Sequence, residues 1–282
     1  MKKRKTVRWI SGLIVSVGIM GLFLWWQNNG LVVTEYEYIL SEEHNSLDGV
    51  RIAQISDLHS KIFGGRLEQL LVQAKPDVVL LSGDLVDRRD TDFTDAVGVA
   101  RAAAELAPTY YAPGNHEASL NQTGSYEMLK NELTQVGVRV LENQAEQLEI
   151  SSETIQLIGL LDPTFYNANL EGAKLVVAAE LEQLTDEETL DVVLGHRPIL
   201  LEAYAAGGAD LVFSGHAHGG QVRLPFVGGL FAPDEWFFPE YTNGIHQCND
   251  TTQIISRGLG NSIAPLRIFN RPELVVVTLR EG

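Results

Sequence analysis

Five apolar runs in this chain end in the same way, and that repetition narrows the folds open to it. VRIAQIS (50–56) runs into Asp57 and His59, DVVLLS (77–82) into Asp84 and Asp87, and PTYYAPG (108–114) into Asn115 and His116. TLDVVLG (189–195) ends at His196, and ADLVFSG (209–215) at His216 and His218. Short apolar runs rich in β-branched residues and bounded by glycine read as strands buried on both faces. Between the first three runs the spacing turns helical. Leu67, Leu70 and Leu71 share a face of Arg66 to Ala74, and a second helix is predicted over Phe93 to Leu106. The β-α-β-α-β order predicts a layered α/β fold with parallel strand pairs. After Gly219 the pattern becomes short β segments up to ELVVVTL (273–279), with little helix. In open α/β sheets, ligands bind in the crevice beyond the carboxyl ends of the strands. Five loops carrying carboxylate, imidazole and amide groups therefore converge on one crevice.

Of seven histidines, five lie at these strand ends, and only His44 and His246 fall elsewhere. Each motif alone has an ordinary reading as a turn or a capped glycine loop. The combination does not. From average composition, Gly-Asn-His followed by an acid arises by chance in about one chain of this length in several hundred, and Gly-His-x-His must then follow it after a strand. Carboxylate, imidazole and amide oxygen without thiolate suit divalent Mn, Zn, Fe or Ni, and disfavour a soft-metal site or an all-oxygen calcium cage. The donors are too many for one tetrahedral ion and match two ions sharing a carboxylate. Such a pair can activate water and neutralise phosphoryl oxygens during in-line displacement.

The N-terminus reads as a membrane address. Residues 1–8 hold five cations and no acid, and the eighteen residues Trp9 to Trp26 carry no charge. At roughly 1.5 Å per residue the run is about 27 Å long, close to the hydrocarbon thickness of a bilayer, about 30 Å. Trp9, Trp25 and Trp26 mark its two ends, where indoles favour the interface. It is longer than a signal-peptide core and no small-x-small cleavage pattern follows, so it is read as an uncleaved anchor. Lys2, Lys3, Arg4, Lys5 and Arg8 precede it, and no Lys or Arg follows until Arg51, which predicts a cytoplasmic N-terminus and an extracytoplasmic remainder. The predicted division is an anchor over 1–30 and one catalytic domain over 31–282. Beyond the flank, 16 cations stand against 37 acids, a balance of −21 that excludes nucleic acid as a partner. The single cysteine, Cys248, excludes a disulfide scaffold, and 45% hydrophobic content excludes disorder.

The motifs DLH (57–59), GDLVD (83–87), GNHE (114–117), GH (195–196) and GHAH (215–218) together resemble the five-motif signature of calcineurin-like metallophosphoesterases. The resemblance runs over about residues 50 to 280. SGHAHGGQVRLP (214–225) and SRGLGNSIAPLRIFNRPEL (256–274) are similar to the membrane-anchored bacterial branch, which includes UDP-diacylglucosamine pyrophosphatases and envelope phosphodiesterases. The resemblance implies a layered sandwich of two mixed β-sheets flanked by helices. By position, it implies that Asp57, His59 and His218 hold one metal, that Asn115, His196 and His216 hold a second, and that Asp84 bridges both. His116 then serves as acid or leaving-group stabiliser, with Asp87 orienting it. Arg88, Arg223 and Asn261 are candidate substrate contacts. Manganese is the favoured metal, with zinc, iron or nickel as alternatives.

The expected function is a two-metal hydrolase of phosphoric esters or anhydrides, a phosphodiesterase at the outer membrane face acting on a lipid- or wall-linked phosphate. Two alternatives are a surface binding module that keeps the fold without catalysis, and a cytoplasm-facing sugar-nucleotide pyrophosphatase. No obligate protein partner is evident. Several residues are left out of the site. His44 is expected to be solvated, His246 and Cys248 to serve core or edge roles, and Glu117 not to be a ligand. Asp162 reads equally as a turn residue or as support for the site, and Phe231 to Phe238 as a lipid-facing, substrate-covering or buried loop.

Overall fold

The structure, a computed structural model, describes residues 2–150, 153–261 and 266–282, with side chains from residue 9 onward. The side chains of the basic flank, and residues 262–265 of the C-terminal motif, lie outside the described residues. Helix α1 (Lys2–Asn29) contains the uncharged run, and none of its apolar window is buried within the protein. Strand β1 (Val32–Ile39) follows, then β2 (Arg51–Ile55), α2 (Arg66–Ala74), β3 (Val78–Ser82), α3 (Thr94–Leu106) and β4 (Thr109–Ala112). This is the β-α-β-α-β order read from the pattern. Next come α4 (Asn115–Asn121), α5 (Ser125–Gln135), β5 (Arg139–Val140), β6 (Gln144–Ile150), β7 (Glu153–Gly159) and α6 (Leu170–Leu184). Strand β8 (Leu190–Leu194), α7 (Leu201–Ala206) and β9 (Leu211–Ser214) complete the motif-bearing part. Two small hairpins, β10–β11 (Arg223–Leu224, Gly228–Gly229) and β12–β13 (Phe231–Ala232, Trp236–Phe237), precede β14 (Gly244–Cys248), β15 (Thr251–Ile255) and β16 (Glu273–Arg280).

Two six-stranded mixed sheets result, ordered β1-β16-β2-β3-β4-β5 and β14-β15-β9-β8-β7-β6. Strands β2, β3 and β4 pair in parallel, as do β7, β8, β9 and β15, so each motif loop leaves its sheet in a common direction. Side-chain alternation decides the layers. Ile52, Val78, Leu80 and Tyr110 face Leu157, Val192, Leu211 and Phe213 across the inter-sheet core. The opposite faces, with Ala53, Val79 and Leu81, pack on Leu67 and Leu71 of α2 and Ala96, Ala100 and Ala103 of α3. Ile158, Val193 and Val212 pack on Ala173, Val177 and Leu181 of α6. With helices on both outer faces, these strands need apolar residues on both sides, which is why they read as continuous runs. Each buried Val, Leu, Ile or Phe side chain among them contributes about 1.5–3 kcal/mol.

Buried polar groups join the sheets beneath the motif loops. Gln54 of β2 donates to Ser82 Oγ at 2.8 Å and to the Ser214 carbonyl at 2.9 Å, linking β2, β3 and β9. Gln253 donates to Ser214 Oγ at 2.8 Å from β15. Buried amides require such partners, so this belt fixes the register at which the two strand ends meet. His44 departs from expectation. Its Nδ1 lies 2.5 Å from Glu153 Oε1 and its side chain is mostly buried, so it ties a 3-10 turn to β7 rather than facing solvent.

Candidate dinuclear metal centre

All five motif loops meet beyond the strand ends. Asp57, His59, Asp84, His216 and His218 have φ of 49°, 46°, 51°, 62° and 48°, in the left-handed region where Asp, His and Asn are enriched among non-glycine residues. A tight reversal after β2, β3 and β9 throws these side chains into the crevice, and the surrounding packing holds the strained backbone in place. The glycines of the motifs leave room for this. A Cβ on Gly215 would strike Ser56 and Asp57, and one on Gly114 would strike Asp84.

Asp84 is the hub. Its Oδ2 lies 3.4 Å from His196 Nε2 and 3.8 Å from both His59 Nε2 and His116 Nε2. Its Oδ1 accepts from the His116 amide at 2.9 Å. On one side, His59 Nε2 and His218 Nε2 are 3.2 Å apart, and His218 Nε2 is 3.4 Å from Asp57 Oδ1. Three compact donor groups follow among the described residues, Asp57-His59-His218, Asp84-His196-His216 and, linking them, His59-Asp84-His116, with the donor atoms of each within 4.8 Å of one another. Asp57 also accepts from the His216 amide at 3.0 Å and from Ser56 Oγ at 2.6 Å, so it locks the loop that carries the second group.

The donor atoms fit two cations. His59 Nε2 and His218 Nε2 face each other at 3.2 Å, and His196 Nε2 and Asn115 Oδ1 are buried without a hydrogen-bond partner among the described residues. Leaving such groups unpaired costs about 1–3 kcal/mol each. Burial pushes His59 and His218 below the ordinary imidazole value, which keeps the rings in the neutral, ligating form. Burial also opposes charge on His196, but Asp84 outweighs it and lifts the ring to about 10. For Asp84, burial acts upward, yet His196, His116 and His59 hold the carboxyl well below its usual range. A proton on His196 thus occupies the place that suits a cation, and loading a metal would expel it.

His116 faces the same space from the first turn of α4. Its Nδ1 accepts from the Arg88 amide at 3.1 Å, so the neutral ring carries its proton on Nε2, facing the crevice. Asp87 Oδ2 is 3.7 Å from His116 Nδ1, close enough to act through charge but too far for a hydrogen bond. A cavity of about 290 Å³ opens above these groups, lined by Asp84, Asp87, Arg88, Arg89, Asn115, His116, His216, His218 and Pro233. Arg88 lies in its lining. Arg89, which the motifs did not single out, lines it too, and neither guanidinium forms an ion pair among the described residues. Arg223 does not line it. Its guanidinium is spent on the Gly219 carbonyl and Thr242 Oγ1, at 2.9 and 3.1 Å, so it braces the His218 loop instead. Asn261 is half-buried and is likewise not among the lining residues.

Two further residues, Arg197 and Asp234, escaped the sequence reading. Arg197, directly after His196, holds Asp162 through Nε and Nη2 at 2.8 and 3.2 Å and Asp234 through Nη1 at 2.8 Å. Asp234 in turn lies 3.0 Å from His216 Nε2. Asp162 also caps Thr164 at 2.8 Å, so both of its readings hold at once. Burial would raise the Asp234 carboxyl, but His216 and Arg197 pull it below the usual range. Glu117 is not a ligand. It accepts from the amides of Asp84, Leu85, Val86 and Gly114, fastening the Asp84 loop to α4. His246 bonds the Asn243 carbonyl in β14, remote from the donor groups.

A layered α/β sandwich whose strand ends gather two hard-donor groups around one shared carboxylate defines a metal-dependent phosphoesterase. The sequence pattern of the calcineurin-like phosphoesterase family matches residues 50–220, and the chain belongs to that family. It is 32% identical over 74% of its length to phosphodiesterase YaeI of Escherichia coli, covering 72% of that protein. It is 28% identical over 96% of its length to the metallophosphoesterase YkuE of Bacillus subtilis, covering 93% of it. Among solved structures, the phosphopantetheinyl hydrolase PptH of Mycobacterium tuberculosis shares 15% identity over 78% of this chain and 96% of that one, with a TM-score of 0.48.

Proposed function

We propose that the chain is a two-metal phosphodiesterase held at a membrane by α1, with its site on the extracytoplasmic side. The observation that carries the catalytic reading is the placing of Asp84 Oδ2 between His59 Nε2 on one side and, on the other, His196 Nε2, which is buried without a hydrogen-bond partner among the described residues. Asp57, His59 and His218 would hold one ion, Asn115, His196 and His216 the other, and Asp84 both. When bound, divalent ions such as manganese supply a nucleophilic hydroxide at neutral pH and offset phosphoryl charge. The chain's own groups do the rest. Arg88 and Arg89 at the cavity rim draw in and orient the phosphate. His116 presents Nε2–H to the departing oxygen and steadies its developing charge by a hydrogen bond, while Asp87, 3.7 Å from Nδ1, acts on the ring through charge. The 32% identity to a protein named as a phosphodiesterase supports a diester as the substrate.

The test uses the full chain in detergent, loaded with manganese, on bis(p-nitrophenyl) phosphate. Asp84→Asn should abolish turnover, and His116→Ala should lower kcat by about 10²–10⁴. Unchanged rates in both variants would overturn the assignment. Membrane attachment is supported by the apolar span Trp9–Asn29, whose apolar window has mean hydropathy 1.8 with none of it buried in the protein. The cationic flank supports the orientation. A reporter active only outside the cytoplasm, joined after Gly282, should be active; an inactive one would place the site with cytoplasmic substrates instead.

A further inference from the structure

Helix α1 ends directly on the loops that carry the metal donors. Lys61, two residues beyond His59, donates from Nζ to the Asn28 carbonyl. Arg66 donates to the Asn29 carbonyl at 3.2 Å, and Arg271 to the Gly30 and Leu31 carbonyls at 2.8 and 2.9 Å. Arg271 also stacks over Trp26, 4.5 Å from its ring centroid. Three cations therefore sit at the helix C-terminus, where unpaired carbonyls and the helix dipole favour positive charge. From another side, the buried Gln27 accepts from the Asn270 amide, and the Asn270 side chain donates to the His218 and Gln221 carbonyls at 2.7 and 3.0 Å. One asparagine separates the helix from a donor loop. Two residues reach at most about 7 Å, so the His59 loop is equally close.

Large apolar side chains are exposed beside this junction. Phe269 packs edge-on against Phe23 of α1, with centroids 5.7 Å apart, yet stays 55% exposed. Phe23 lies three residues inside the uncharged run, about 4–5 Å below its end along the helix axis. A bilayer that holds that run must therefore meet Phe269. Ile268 accepts from Arg223 at 2.9 Å, which hangs hairpin β10–β11 at the same level, with Phe226 and Val227 exposed at its turn. The adjoining hairpin β12–β13, joined through the Leu230 amide and carbonyl, exposes Trp236, Phe237 and Phe238 by about two-thirds each. Its turn also sends Pro233 to the cavity and Asp234 to His216. Aromatic side chains clustered on a surface next to a membrane helix match the water–lipid boundary, and patches of this kind mark interaction sites.

We propose that the two hairpins and Phe269 rest on the bilayer that α1 enters, and that the cavity takes the headgroup phosphate of a membrane phospholipid. The inference rests on the phosphoesterase and anchor readings above and adds the docking surface and the lipid. In the reaction, water adds its oxygen to phosphorus and the bond from phosphorus to the headgroup alcohol breaks. The departing oxygen, held by a hydrogen bond from His116 Nε2–H, takes the proton that the water releases. Lys61, Arg66 and Arg271 give this face a positive rim on an otherwise acidic chain, which suits anionic lipid.

The full chain in nanodiscs of phosphatidylethanolamine and phosphatidylglycerol tests this. With Trp9→Phe, Trp25→Phe and Trp26→Phe, Trp236 is the sole tryptophan, and lipids brominated along their chains should quench its emission. The double variant Phe226→Ser, Val227→Ser should leave turnover of bis(p-nitrophenyl) phosphate unchanged and lower hydrolysis of phosphatidylglycerol by about tenfold. An unquenched Trp236, alongside quenching in a chain that keeps only Trp25, overturns the docking while the anchor stands. Intact turnover of the soluble diester with no hydrolysis of phosphatidylglycerol overturns the lipid substrate, and absence of turnover on both overturns the phosphoesterase reading beneath it.

Discussion

Single side chains hold the site together in ways that a motif only partly announces. Glu117 looks dispensable as a non-ligand, yet its two oxygens collect four backbone amides from the Asp84 loop and Gly114. Burial and the nearby Asp84 push its carboxyl up to about 7, while the amide donors act in the other direction. Glu117→Gln replaces one acceptor by an NH2 group facing amide donors. It should cost about 1–3 kcal/mol of stability, read as a lowered Tm, and should weaken metal retention. A Tm equal to that of the unmodified chain would show that the carboxylate is not a fastener. Gly215→Ala puts a methyl group against Ser56 and Asp57 and should remove activity while the fold persists, checked by circular dichroism beside turnover. The donor residues were legible because each carries its chemistry in its name and follows a strand. Arg197 and Asp234 were not, because an arginine after Gly-His and an aspartate in an aromatic loop each read as surface residues until the fold brings them within 2.8 Å.

Among the elements, the strands and the first two helices match the pattern closely: α2 spans the predicted Arg66–Ala74, and α3 begins one residue inside its predicted start at Phe93. The turn expected after β4 instead passes straight into α4, so Asn115 and His116 open a helix. That short helix carries few apolar positions, and hydrophobic periodicity does not register it. The pairing of β1 with β16 joins residues about 240 positions apart, a long-range contact that no local pattern encodes. Hairpin β12–β13 is held by Arg197 between Asp162 and Asp234 rather than by a core of its own. Arg197→Met should therefore free the hairpin, raising KM for the soluble diester more than it lowers kcat. An unchanged KM would mean that the hairpin keeps its place without the ion pairs.

For the whole molecule, the two sheets act as a frame that brings opposed strand ends together, and the metal donors are contributed almost equally by both. Asp57, His59, Asp84 and Asn115 follow strands of one sheet, and His196, His216 and His218 follow strands of the other. Metals bound there therefore tie the sheets together. Stripping them with a chelator should lower Tm by an amount that grows with the prior metal concentration, about 2.7 kcal/mol of stability at a hundredfold excess over Kd. Loading should also expel protons, since His196 must lose its own; the affinity should therefore rise with pH as that proton becomes easier to displace, measured by titration calorimetry in buffers of different ionisation heat. The acidity of the chain is compatible with phosphate chemistry because part of it is turned inward around this centre. Anomalous scattering from crystals of the manganese-loaded chain tests the central claim most directly. Two peaks about 3.5–4 Å apart on either side of the Asp84 carboxylate are expected; a single peak, or two that do not share Asp84, would contradict it.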